Sequence, residues 1–337
     1  MASSTTPDSS SSVAQHIDTF QQRFTRITQE VGRRIVGHED IVNLTVTSLL
    51  AGGHVLLEGI PGVGKTTLVH TLADVLHLKF SRIQFTPDLM PADIVGTNIV
   101  QENQQGETFF EFQPGPIFAN VVLADEINRA TPKTQSALLE AMQEKTVSVG
   151  KTTYKLDEPF LVLATQNPLE MEGTYPLPEA QLDRFFFKLK ITYPTEAAMH
   201  DILDRTTTRT SAEVSRVVDG AEILEMRNIA RGVPIAKPVQ GYAIRLAMGT
   251  HPHSPYASPM IKKYARYGAS PRAAQALVLG AKIHAMTKGN PFVSADDIRA
   301  VALPVLRHRI LMNFEGEADE INADSLVNEL IDQVKTD

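Results

Sequence analysis

Gly59-Ile60-Pro61-Gly62-Val63-Gly64-Lys65-Thr66 meets every fixed position of the phosphate-loop pattern G-x-x-x-x-G-K-[ST]. The apolar run His54-Val55-Leu56-Leu57-Glu58 precedes it and reads as a buried strand, and Thr67-Leu68-Val69-His70-Thr71-Leu72-Ala73 follows with helical spacing. A strand that turns through glycines into a helix N-terminus aims several backbone N–H groups at one point, at the positive end of the helix dipole. Such a nest accepts a phosphate, and residues without a Cβ let the chain wrap closely around it. The expected nucleotide-binding positions are Gly59, Pro61, Gly62, Val63, Gly64, Lys65 and Thr66, with Thr67 opening the helix. In this arrangement Lys65 reaches the β- and γ-phosphates and the Thr66 hydroxyl ligates Mg²⁺, so ATP or ADP and Mg²⁺ are the expected cofactors. The alternative is a chance glycine-rich turn, and the strand–loop–helix context argues against it.

Outward from the loop, strand-like runs recur at Val55–Leu57, Ser81–Phe85, Val121–Ala124, Phe160–Ala164 and Phe186–Ile191, with helical stretches at Thr66–Leu76 and Lys133–Glu144. This alternation predicts an α/β domain over 13–193: a parallel sheet with helices on both faces and ligands at the carboxyl ends of its strands. Residues 1–12 are mostly Ser, Thr and Ala and are expected to be a disordered tail. Helical patterns cover Val13–Arg34 and Glu39–Ala51, broken by Ile35-Val36-Gly37-His38. After Tyr193-Pro194 the strand signals stop, and helices are expected at Glu196–Arg209, Ala221–Arg231, Pro238–Thr250, Pro271–Thr287, Ser294–Asn313 and Asp324–Val334. Residues 194–337 therefore read as a smaller all-helical domain. Ser270-Pro271 marks one helix start, with Ser as cap and Pro in the first turn.

The 337 residues allow two domains, and 42% apolar with 21% charged residues is ordinary for a globular chain. No apolar run approaches the ~18 residues that cross a bilayer, and no charged-then-apolar leader opens the sequence. Cysteine is absent, which removes disulfides, thiolate metal sites and a Cys nucleophile and fits a reducing cytoplasm. The net charge of −7 argues against broad nucleic-acid binding. None of the histidines has metal-ligand spacing; they read as packing or solvent residues.

Val121-Val122-Leu123-Ala124-Asp125-Glu126 is an apolar strand ending in two carboxylates. Asp125 can hold Mg²⁺ through water, and Glu126, pointing elsewhere, can act as general base on an attacking water. By themselves two acids could simply cap a strand; downstream of Lys65 they form a hydrolytic pair. Phe160-Leu161-Val162-Leu163-Ala164 ends in Thr165-Gln166-Asn167-Pro168. If that strand lies between the loop strand and the acidic strand, the Asn167 amide can bond the water or the γ-phosphate; otherwise Asn-Pro is a turn.

Four stretches carry a specific resemblance: Gln84-Phe85-Thr86-Pro87-Asp88-Leu89-Met90-Pro91, Asp125-Glu126-Ile127-Asn128-Arg129-Ala130 with Lys133–Met142, Ala164-Thr165-Gln166-Asn167-Pro168, and Glu179-Ala180-Gln181-Leu182-Asp183-Arg184-Phe185. Together they resemble the MoxR family of AAA+ ATPases from Val13 to the C-terminus. The resemblance implies a phosphate loop at Gly59–Thr66, a Walker B pair at Asp125 and Glu126, and sensor 1 at Asn167. It also implies an arginine finger at Arg184, sensor 2 at Arg272, and adenine contacts at Val36 and Gly37. Arg184 would reach a neighbouring subunit's nucleotide, where such a finger is worth roughly 10³–10⁵ in rate; its alternative is a surface pair with Asp183. Arg129 is a weaker candidate for a subunit contact.

Residues 94–120 and 146–156 read as hairpin insertions, which in similar proteins face a central pore or a client. The resemblance implies an active ATPase in a homo-oligomeric, six-membered ring that remodels a protein client or assists metal-cofactor insertion. Proteins with a metal-dependent adhesion domain of the von Willebrand A type are one implied partner class. The alternatives are a magnesium-chelatase-like ATPase subunit, a nucleic-acid motor, and an ATP-binding assembly switch. A motor should cluster Lys and Arg in its hairpins, and Lys151 with Lys155 is too few.

Overall fold

The computed structural model describes residues 9–168, 173–207 and 213–336. Helix α1 (Ser9–Gly32) comes first. It is followed by α2 (Glu39–Ala51), β1 (Val55–Gly59), α3 (Lys65–Val75), β2 (Phe80–Gln84), α4 (Pro91–Val95), β3 (Gly96–Glu102), β4 (Thr108–Pro114) and β5 (Val121–Asp125). A 3₁₀ turn at Ile127–Arg129 leads to α5 (Pro132–Glu144), β6 (Thr146–Val149), β7 (Thr152–Lys155), β8 (Leu161–Gln166), α6 (Glu179–Leu182), β9 (Phe187–Ile191) and α7 (Glu196–Thr206). Then come α8 (Gly220–Gly232), α9 (Lys237–Gly249), α10 (Pro259–Tyr264), β10 (Ala265–Tyr267), α11 (Pro271–Thr287), α12 (Ala295–Leu306), β11 (Leu311–Met312), α13 (Phe314–Ala318) and α14 (Ala323–Gln333).

Packing divides the chain into two compact units, Gln29–Leu224 and the N-terminal segment through Thr28 with Glu225–Asp337. In the first, five strands form a sheet in the order β2-β5-β8-β1-β9, every neighbouring pair parallel. Parallel sheets are covered on both faces, so their strands are unbroken apolar runs. Accordingly β5 is buried along its whole length and β8 up to Thr165. From β1 the chain crosses to the far edge, works back through β5 and β8, and adds β9 on the other side. The strand order thus reverses at β1 and leaves a crevice at its carboxyl end.

Helix α5 starts on Thr131 and Pro132 and presents buried Leu138, Leu139, Ala141 and Met142 to the sheet cluster of Leu56, Ala124, Val162 and Phe160. His54 anchors this packing. Val162 N–H donates to its Nδ1 at 3.0 Å and its Nε2 lies 3.0 Å from the Met142 carbonyl. A nitrogen facing an amide N–H must accept, so the proton sits on Nε2.

The two hairpins form as β3–β4 and β6–β7. Phe112 stacks on Tyr154 with centroids 4.0 Å apart, and Phe118 meets both edge-on. Val100 and Phe110, cross-strand partners in β3–β4, remain exposed at 63% and 76%.

In the second unit α11 packs on α9 and α12. The α1 side chains Ile17, Phe20, Phe24 and Ile27 are buried, and Gln21 Nε2 donates to the Thr287 carbonyl at 3.2 Å. That packing places the start of α1 with the C-terminal helices, whereas the expectation kept it with the α/β domain. Likewise α7 stays with the sheet unit, so the packing division falls at Leu224 rather than at Tyr193. Two short strands, β10 and β11, pair antiparallel where only helices were expected; runs of three and two residues are too short to show a period of two. The helix expected over 294–313 ends at Leu306, and β11 follows at Leu311–Met312. Helix α1 starts at Ser9, inside the expected tail, whose residues 1–8 lie outside the described residues, as does the expected end of α7 at Arg209. No helix among the described residues is long and apolar enough to cross a membrane.

Candidate functional site

The phosphate loop leaves β1 and enters α3 with Gly62 at φ 83° and Gly64 at φ 81°, the left-handed region that side chains disfavour. A Cβ on either glycine would meet nothing within 4 Å. The space beside both glycines is therefore open, and their left-handed backbone is the conformation an anion nest uses. Lys65 Nζ lies across the loop and donates to the Gly59 carbonyl at 2.7 Å. Thr66 and Thr67 are exposed on the first turn of α3.

Beside the loop lies a cavity of about 340 Å³, at the small end of ligand pockets (about 300–1,000 Å³). Pro61, Gly62, Val63, Gly64 and Thr67 line one side, and Val36, His38, Tyr193, Met199 and Ile202 line the other. Apolar walls with few polar groups suit a purine ring next to a phosphate nest. Gly37 lies between two lining residues at φ 74°, and a Cβ there would come 2.8 Å from the Ala198 Cβ. Burial pushes the His38 imidazole below its ordinary pKa, with Glu39 opposing. Sequence reasoning missed His38, Tyr193 and the α7 residues. The break Ile35–His38 gave a signal for the first; α7 gave none, because its packing partner is remote in sequence.

The strand ends bring the polar groups together. Register pairs Leu57 with Thr165, Ala124 with Ala164 and Gln84 with Asp125, so Thr165, Asp125 and Gln84 form one row beside β1. Strand β8 does lie between β5 and β1, which places buried Asn167 just beyond the strand separating the loop from the acids. Thr165 Oγ1 donates to Asp125 Oδ1 at 2.6 Å and accepts the Glu126 N–H at 2.8 Å. Arg82, on edge strand β2, donates through Nε and Nη2 to Asp125 Oδ2 at 3.2 and 2.7 Å. Glu126 stands in the left-handed region at φ 57°, ψ 50°. Gln84 Nε2 donates to its Oε2 at 3.1 Å, and Arg129 Nε lies 2.9 Å from the same oxygen. Thr165, Arg82 and Gln84 were not singled out from the sequence, although the Thr that ends the apolar run of β8 was visible there.

Thr66 and Asp125 offer hard oxygen ligands of the kind Mg²⁺ takes, and the open cradle leaves room for phosphate oxygens to complete its shell. No group of three or more His, Asp or Glu could hold a metal among the described residues. Arg184 follows α6, and its Nη1 donates to the Leu139 carbonyl of α5 at 3.1 Å. Arg272 belongs to the other unit, on the first turn of α11, its N–H donating to the Ser270 cap at 3.1 Å.

Residues 54–187 match the ATPase family associated with various cellular activities, and residues 258–330 match the AAA lid domain. Over 305 residues the chain is 42% identical to Chaperone MoxR1 of Mycobacterium tuberculosis, spanning 90% of this chain and 80% of that protein. The chain belongs to the MoxR family of AAA+ ATPases. It is also 30% identical over 303 residues to Protein MoxR of Methylorubrum extorquens, spanning 85% of this chain and 87% of that one. A crystal structure from Cytophaga hutchinsonii, provisionally designated an ATPase, superposes with a TM-score of 0.89 at 42% identity over 96% of this chain and 98% of that one. A MoxR-family chain carries the AAA+ α/β fold with a lid, nucleotide binding and, in general terms, ATPase activity.

Proposed function

We propose that this MoxR-family chain hydrolyses ATP in a ring of identical subunits, sixfold by analogy, and uses the cycle to remodel or activate a protein client. The observation that supports it most is the insertion of β8 between β1 and β5, which lines up Lys65 and Thr66, Asn167, and Asp125 with Glu126 along one sheet end. In this reading the base enters the cavity of Val36 and His38, the α- and β-phosphates lie in the Gly62–Gly64 nest, and Lys65 leaves the Gly59 carbonyl for the β- and γ-phosphates. Mg²⁺, held by Thr66 and Asp125, supplies neutralisation of the phosphate charge. Asn167 orients a water, Glu126 takes its proton, and the water oxygen bonds to the γ-phosphorus as the bond to ADP breaks. Arg184 is the finger offered to the adjoining subunit, and Arg272 the lid contact.

The client is read as protein because β3–β4 carries Glu102, Glu107 and Glu111 with no Lys or Arg. A nucleic-acid tracker would need cations there. The relative named Chaperone MoxR1 favours the same class. The cytoplasm is the proposed compartment, and a von Willebrand A-type protein remains a proposed partner. The test mixes two inactive proteins, Lys65→Ala and Arg184→Ala. Mixed rings should regain part of the hydrolysis, because some interfaces join an intact loop to an intact finger. Absence of recovery in verified mixed rings would overturn action across subunits.

A further inference from the structure

We propose that Arg82 is a positioning residue that competes with the divalent cation for Asp125. The inference rests on the reading of Asp125 as a metal-site residue.

Arg82 and Gln84 are two apart on β2 and share one face of the sheet. Arg82 is level with Leu123, and its long side chain runs along the strand to reach the acid two residues further on. Two of its nitrogens converge on a single oxygen, Asp125 Oδ2. The side chains of Arg82 and Asp125 are 48% and 13% exposed, so the cation caps a nearly buried acid from the solvent side. Arg82 Nη2 also donates to Gln84 Oε1 at 2.7 Å, and the amide of Gln84 continues to Glu126 Oε2. The four side chains form one hydrogen-bonded line between the metal-site carboxylate and the general base.

Thr165 takes the other oxygen, Oδ1, from inside the sheet. A hydrated divalent cation that uses Asp125 must therefore share or displace Arg82 on Oδ2. Guanidinium and dication repel, so occupancy by one weakens the other.

The experiment measures Mn²⁺ binding by electron paramagnetic resonance to ADP-loaded full-length protein, so hydrolysis does not enter. Arg82→Gln should bind Mn²⁺ about five- to ten-fold more tightly than the unmodified protein. Arg82→Lys, which keeps the charge, should stay within about two-fold of it. Unchanged or weaker binding in folded Arg82→Gln overturns the proposal. If Arg82→Gln does not fold, Arg82→Met, which also removes the charge, takes its place with the same expectation of about five- to ten-fold, and unchanged or weaker binding there overturns the proposal. Asp125→Asn separates this from the reading beneath it. If that variant holds Mn²⁺ as well as the unmodified protein, Asp125 is not at the metal site, and the functional reading fails together with the inference.

Discussion

Thr165→Val removes one hydroxyl and keeps the shape of a fully buried side chain. That hydroxyl has two bonds: it donates to Asp125 Oδ1 at 2.6 Å and accepts the Glu126 N–H at 2.8 Å. A hydrogen bond to a charged group contributes about 1.5–3 kcal/mol, and a buried N–H left without a partner costs about 1–3 kcal/mol. The two share one atom and do not add fully, so the expected loss of unfolding free energy is about 2–4 kcal/mol. The effect on turnover follows a different route. Glu126 holds a left-handed backbone that costs about 1–3 kcal/mol and persists only where its surroundings impose it. Without the bond from its N–H, Glu126 loses the restraint that aims its carboxylate. General-base catalysis is worth about 10²–10⁴-fold, and partial misplacement should lower kcat about 10- to 100-fold. The nucleotide KM should move by less than about three-fold, because the phosphate nest is untouched. Denaturant unfolding and steady-state phosphate release check both numbers, with Thr165→Ser as the restoring variant. A Thr165→Val protein with unaltered stability and kcat would refute the argument, as would a loss confined to KM.

Lys65→Ala should weaken ADP binding by at least about 10-fold, since a charged donor contributes about 1.5–3 kcal/mol to each contact; titration with a fluorescent ADP derivative that still shows the original affinity would count against the nest. The lowered His38 pKa sets a pH dependence. A group kept neutral by burial contributes stability that is full above its unfolded value of 6.5 and is lost as pH falls through the lower folded value. The melting temperature should therefore fall more steeply below pH 6.5 in the unmodified protein than in His38→Gln, and parallel curves would remove His38 as the cause.

The sheet was legible because each central strand opens as a short apolar run bounded by turn residues, Val121–Ala124 in β5 and Leu161–Ala164 in β8. Glycines at left-handed φ made the loop legible for the same local reason. The relays were not legible. Arg82 meets Asp125 only because β2 and β5 pair at one register, and Thr165 meets it only because β8 enters between β5 and β1. Such contacts depend on strand order, which no window of sequence contains. The cavity wall from α7 and the burial of α1 among C-terminal helices are equally nonlocal. The β10–β11 ladder failed for the opposite reason, being local but too short to carry a period.

Glu126 joins these levels. Four described residues other than glycine have positive φ: His77, Glu126, Lys145 and Glu320. Lys145 caps α5, while His77 and Glu320 follow the last residues of α3 and α13, where a left-handed turn is the usual way to end a helix. Glu126 instead links a strand to a 3₁₀ turn, so helix termination does not explain it. If the strain is retained for catalysis, a residue that tolerates the left-handed region should relieve it. Glu126→Asn should then leave stability unchanged or raise it by up to about 1 kcal/mol, because Asn populates that region several-fold more readily. It also removes the half-exposed pairings to Arg129 and Gln84, which contribute about 0–1 kcal/mol. Turnover should fall about 10²–10⁴-fold, because the amide cannot take a proton. Unfolding in denaturant decides between the two accounts: a loss of more than about 1 kcal/mol would mean that Glu126 is held for its contacts and that its backbone stores no strain worth releasing.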